Sequence, residues 1–187
     1  MKLNHPELID LLQKAYSAEK AASFAYQGHA ASVKDAVEKQ QINQIEQDEW
    51  FHRKEVLQIM TDFAVPVSKW YELKFHIIGK TISFSCYIIG RFMPFYFAGI
   101  LESGNVCEYF KMKQYFNSIG INKYDNILYD MAMKEKEHEV YFLSKIKCDP
   151  FLPFFEKIFV WGLHKSFNNV DFDEKYPVEE SNIYCKK

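Results

Sequence analysis

Apolar residues recur along much of this chain at intervals of three and four, the period of helices with one buried face. A first helix is expected from near Asn4 to about Ala31, with Pro6 in its first turn and Glu7 favouring the helix dipole. A second runs from Asp35 to near Phe63, and Pro66 stops it. Its buried stripe reads Ile42, Ile45, Glu49, His52, Val56, Ile59 and Phe63. A third long helix covers about 95–116 and a fourth about 123–147, ended by Cys148-Asp-Pro150. The stripe of the fourth reads Leu128, Met131, Glu135, His138 and Phe142. Polar breaks at 32–35 and 117–122 divide the four into two hairpins. A short apolar helix follows within 150–163, and the tail from Asn168 is polar.

The hairpins are joined by an apolar connection, F-H-I-I-G-K-T-I-S-F-S-C-Y-I-I-G-R-F-M-P-F-Y-F-A-G-I-L, residues 75–101. Lys80 and Arg91 interrupt it, leaving charge-free blocks of half the roughly 20 residues that a transmembrane helix needs. The segment is expected to be helical in part, and buried or interfacial, not spanning. These elements predict an all-α fold. Residues 1–167 make one helical domain of four long helices, a long connection between the second and third, and an extra C-terminal helix. Residues 168–187 are a tail.

Composition agrees with that reading. The 187 residues are 48% hydrophobic and 17% aromatic, with only 7 Gly and 6 Pro, a globular and helix-leaning profile. The formal charge of -2 gives no basic surface for nucleic acid, so no nucleic-acid partner is expected. Cys86, Cys107, Cys148 and Cys185 are scattered without C-x-x-C spacing, and the N-terminus has no apolar signal core. A cytoplasmic location is the resulting expectation.

The chemistry lies in the stripes. Residues three apart share a helix face, so Glu-x-x-His can aim a carboxylate and an imidazole at one point. The pattern occurs as Glu49-Trp-Phe-His52 and as Glu135-Lys-Glu-His138. An apolar stripe interrupted by ionisable groups is costly unless something neutralises them. The alternative is that these residues stand at a solvated stripe edge, as Lys136, Glu137 and Glu139 are expected to do. The hairpins offer a further carboxylate each. Glu19 and Glu49 are equidistant from residue 34, inside the first break, and Glu102 and Glu135 are equidistant from 118–119, inside the second. Four carboxylates and two imidazoles at one level call for cations. Two divalent irons balance four glutamates, and oxygen and imidazole donors suit iron or manganese. Glu19, Glu49, His52, Glu102, Glu135 and His138 are therefore the candidate metal ligands. His5, His29, His76 and His164 lack matched partners and are expected as surface or satisfied core residues.

With those residues the sequence resembles the ferritin-like diiron proteins, most closely the demethoxyubiquinone hydroxylase family, over about residues 10–165. Glu19 is followed by Tyr26-Gln-Gly28 and Glu102 by Tyr109, as in that family. It departs from the family at Ser103, at Glu108 and in the approach A-Y-S-A-E to the first ligand. The resemblance implies a ferritin-like antiparallel four-helix bundle with an apolar crossover. It also implies a diiron monooxygenase that uses dioxygen to hydroxylate a small lipophilic, quinone-like substrate in ubiquinone biosynthesis. NADH or a partner reductase would supply electrons, and Tyr26 and Tyr109 would serve catalysis. The crossover and the C-terminal helix would form a hydrophobic entrance peripheral to a membrane, and an oligomer stays open. Gly99, Gly104 and the alanines around Glu19 either leave room for substrate or allow close packing. Alternatives are iron handling, peroxide reduction, hydroxylation of another substrate such as a modified tRNA base, or a purely structural metal site.

Overall fold

The computed structural model describes residues 3–163. Among them are six helices and no strand: α1 Pro6–Ser32, α2 Ala36–Asp62, α3 Lys69–Ser85, α4 Phe92–Ser118, α5 Asp125–Ile146 and α6 Leu152–Phe159. They form two compact units, one ending at Arg91 and one beginning at Phe92.

In the first unit, α1 starts where the pattern places it. His5 is its N-cap, its Nδ1 accepting from Leu8 N at 3.2 Å, and Pro6 follows in the first turn, where no N–H is needed. Asp35 caps α2, accepting from Glu38 N at 2.8 Å. The link between these helices is so short that α2 must return antiparallel along α1. Every member of the predicted α2 stripe is buried, from Ile42 to Phe63. Burying each large aliphatic side chain contributes about 1.5–3 kcal/mol, so the stripe fixes the rotation of α2.

Ser68 caps α3, its Oγ accepting from Tyr71 N. This helix runs parallel to α1: Tyr71 Oη donates to Asp10, Gly79 lies on Ala21, and Ser83 lies on Gly28. The seam is close because it lacks side chains. A Cβ on Gly79 would come within 2.7 Å of the Ala21 backbone, and one on Gly28 would strike Ser83 itself. Glu72 ties all three helices together, accepting from Ser17 Oγ (2.9 Å), Lys20 Nζ (3.0 Å) and Arg53 Nη1 and Nη2 (3.0 and 3.1 Å). Arg53 also donates to Tyr16 O and stacks on the Tyr16 ring. Burial alone would push the Glu72 carboxyl up, but these bonds and the Arg53 charge outweigh it and hold its pKa below the ordinary value.

The connection is thus a helix, but not a buried one. Gly79 is the one residue of α3 that is fully buried, while Trp70, Leu73, Ile77 and Phe84 point outward, Trp70 and Phe84 each 68% exposed. Of the two expected alternatives, buried or interfacial, burial does not hold for this face, because α3 lies chiefly against α1 through a narrow glycine seam. No described helix is long and apolar enough to cross a membrane.

In the second unit α4 begins at Phe92, three residues earlier than expected, because Pro94 fits within a first turn and does not precede it. α4 and α5 pack as an antiparallel pair. At the end of α4 the chain reverses through Gly120, whose φ of 76° suits glycine. The Ile121 N–H closes the helix end on Phe116 O at 2.9 Å. α6 lays Phe155 against Phe92 and Tyr96, with centroids 5.1 Å apart in both pairs. It ends at Val160 in the left-handed conformation, φ 57°, an outlier for a β-branched residue. That turn sends Trp161 back into the core, where it is 1% exposed. The expected tail at 168–187, its boundary at 167 and His164 lie outside the described residues.

Candidate metal centre

Each unit brings three of the six predicted ligands together. In the first, Glu19 on α1 meets Glu49 and His52 on α2, and each offers a ligand atom within 4.8 Å of the others. The reason is local. Glu49 and His52 occupy two places in a stripe whose other members are apolar, and the hairpin geometry puts Glu19 level with them. Ser23, one turn past Glu19, is also buried, and its hydroxyl donates back to Glu19 O at 2.8 Å, as a buried hydroxyl in a helix must.

The second unit repeats the arrangement. Glu102 on α4, with Glu135 and His138 on α5, offers ligand atoms that again lie within 4.8 Å of one another. Asn105, one turn after Glu102, donates its amide to Glu102 Oε2 at 3.2 Å. His138 Nδ1 and Glu135 Oε2 are 3.6 Å apart.

All six residues are at most 4% exposed, and Glu49, Glu102 and Glu135 are at 0%. A solvated stripe edge is therefore ruled out for them. Two carboxylates and an imidazole, sequestered from water within ligand distance, fit a divalent cation of the iron or manganese kind. Each triad carries two potential negative charges, which one such ion neutralises. The residues present fit the group that the pattern implies.

Other candidates separate from this set. Tyr26 and Tyr109 are both buried, each two helical turns beyond the glutamate of its own helix. His5 is a helix cap and His76 sets its ring edge-on to Phe24, 5.2 Å between centroids. His29 is a core residue, and burial together with the Arg91 charge lowers its pKa to about 4. The glycines do not open space beside Glu102. Gly99 is filled by the Trp161 indole, and Gly104 is exposed with no atom near its missing side chain. Ala15, before Glu19, is packed in the core.

One residue differs outright from its expected place. Glu139 is not solvated but fully buried, and its Oε1 accepts from Trp161 Nε1 at 2.7 Å. The sign of this was present in its position four residues after Glu135, which puts both on one face. Its neighbours Lys136 and Glu137 do stand outside the buried set.

No protein-family model, no curated protein and no solved structure matches this chain.

Proposed function

We propose that the chain is a ferritin-like four-helix bundle, with α3 as its crossover, whose two triads hold two irons for a monooxygenase reaction. The observation that carries this reading is the repetition of one donor set, Glu, Glu and His, buried within each of two separate hairpins. Glu19, Glu49 and His52 would hold one ion, and Glu102, Glu135 and His138 the other. This is the ligand inventory of the ferritin-like di-metal carboxylate bundles.

When bound, the irons would supply the reductive activation of dioxygen, which no side chain supplies alone. The chain's own residues do the rest. The four glutamates cancel the metal charge and the apolar stripes exclude water. Asn105 holds one oxygen of Glu102 and so limits that carboxylate's swing. Tyr26 and Tyr109 offer buried phenols for proton or electron delivery. One oxygen atom enters the substrate and the other leaves as water, using two electrons from NADH or a partner reductase.

A small lipophilic, quinone-like substrate is supported by apolar surface on each unit. On the first it is the outward face of α3, whose one acid, Glu72, is already neutralised, leaving Lys69 and Lys74 on the helix that exposes Trp70, Leu73, Ile77 and Phe84. On the second it is Phe151, Phe154 and Ile158 along α6. A basic, apolar helical face suits the surface of an anionic membrane, from which such a substrate would be drawn.

Metal analysis of protein loaded anaerobically with iron(II) tests the centre, with two irons per chain expected. Glu135→Ala should lower that content, and unchanged content would refute the ligand set. Oxygen uptake by the reduced protein that rises with quinone analogues supports the oxygenase. Uptake indifferent to them, accompanied by iron accumulation beyond the two sites, favours iron handling instead.

A further inference from the structure

Trp161 occupies a position that the proposed chemistry does not use. Its indole lies on Gly99, which is one turn before Glu102 on α4, and a Cβ there would collide with the ring. Its Nε1–H bonds Glu139, the residue next to His138 and one turn beyond Glu135 on α5. Its own carbonyl accepts from Tyr96 Oη at 2.9 Å. The chain accepts a left-handed valine to put it there, and Gly162 beyond it fits against Glu156 where no side chain would. Both Trp161 and Glu139 are removed from water, so the bond between them has no competing solvent.

We propose that Trp161 is a positioning residue for the α4–α5 metal triad, locking the helix turns that present Glu102, Glu135 and His138. The indole face sets the spacing at Gly99, and the indole N–H sets the rotation of α5 through Glu139. Glu135, His138 and Glu139 lie on one face, so a turn of α5 that frees Glu139 also swings both ligands away from Glu102. The ligand set is thereby held ready before metal arrives. Supports of this kind beyond the ligands change metal affinity by about 10–100-fold when removed. This inference rests on the metal-binding reading above.

The test uses the full chain and cobalt(II), whose visible bands report ligand geometry. Trp161→Phe keeps a ring on Gly99 but loses the N–H, and Glu139→Leu removes the acceptor. Both should weaken cobalt binding by about tenfold or more and shift the visible bands. Glu139→Gln keeps an oxygen for the indole to bond and should stay within about threefold of wild type, below the roughly tenfold at which such effects begin. If Trp161→Phe and Glu139→Leu lower the melting temperature of the metal-free protein but leave cobalt affinity and spectrum unchanged, Trp161 only packs the core and the inference fails. Loss by Glu139→Gln equal to that of Glu139→Leu also overturns it, since the charge would then matter and the indole bond would not. A wild-type chain that binds no cobalt removes both this inference and the metal centre.

Discussion

Replacing Glu49 by leucine should stabilise the metal-free protein and weaken the metal-loaded one. Glu49 is fully buried, and its ligand oxygen lies within 4.8 Å of that of Glu19. Two ionised carboxylates no farther apart than that repel by at least about 3.5 kcal/mol at an effective dielectric of 20. Exchanging buried charges for apolar side chains of similar volume is often worth about 1–4 kcal/mol, which agrees. In a domain of this size each kcal/mol moves Tm by roughly 2–4 °C, so the metal-free variant should melt several degrees above wild type. Loading reverses the order. A metal at 100 times its Kd stabilises the protein that binds it by about 2.7 kcal/mol per site, and the variant loses that gain at the site containing Glu49. Thermal melts followed by circular dichroism, in chelator and in excess manganese(II), check both halves. If the variant melts below wild type in chelator, and manganese raises both equally, Glu49 is a structural carboxylate and the metal assignment for this triad is wrong.

Two further perturbations test the surroundings. His29 has its pKa lowered from 6.5 to about 4, so the unfolded chain binds the extra proton first as pH falls. Its contribution is intact above pH 6.5 and is lost down to about pH 4, costing about 3 kcal/mol across that window. Urea unfolding of metal-free wild type and His29→Gln at pH 7 and pH 4.5 should show a flatter dependence in the variant; equal slopes would refute the assignment. Gly28→Ala sets a gain of about 1 kcal/mol in helix propensity against overpacking worth about 1–3 kcal/mol. The added Cβ meets Ser83 backbone, which cannot swing aside, so net destabilisation and faster proteolysis around residues 86–91 are expected. Unchanged stability would mean that α3 does not depend on this seam.

Much of the buried Glu and His cluster was legible in the sequence because its signals are local. Glu49-Trp-Phe-His52 and Glu135-Lys-Glu-His138 fall inside apolar stripes of helical period, and those stripes are buried as the spacing requires. The turn positions then matched Glu19 to Glu49 and Glu102 to Glu135, since two helices joined by a short turn must run antiparallel. Sequence by itself thus determined the all-helical class, the two hairpins and the inward face of each long helix. It placed Glu139 wrongly, because a short charge run looks solvated until something distant covers it.

Only the tertiary structure decided what that something is. Trp161 reaches Glu139 through a left-handed turn at Val160 that no helical periodicity announces, and it claims the space at Gly99. The tertiary structure likewise decided the fate of the apolar connection. Hydrophobicity alone left a buried and an interfacial segment both open there, and a helix can bury only the face for which a partner exists. Gly28 and Gly79 make α1 that partner along one edge of α3, and Trp70 and Phe84 are left on the other. Periodicity reports which side of a helix is apolar; whether that side meets protein depends on residues that are far away in the chain.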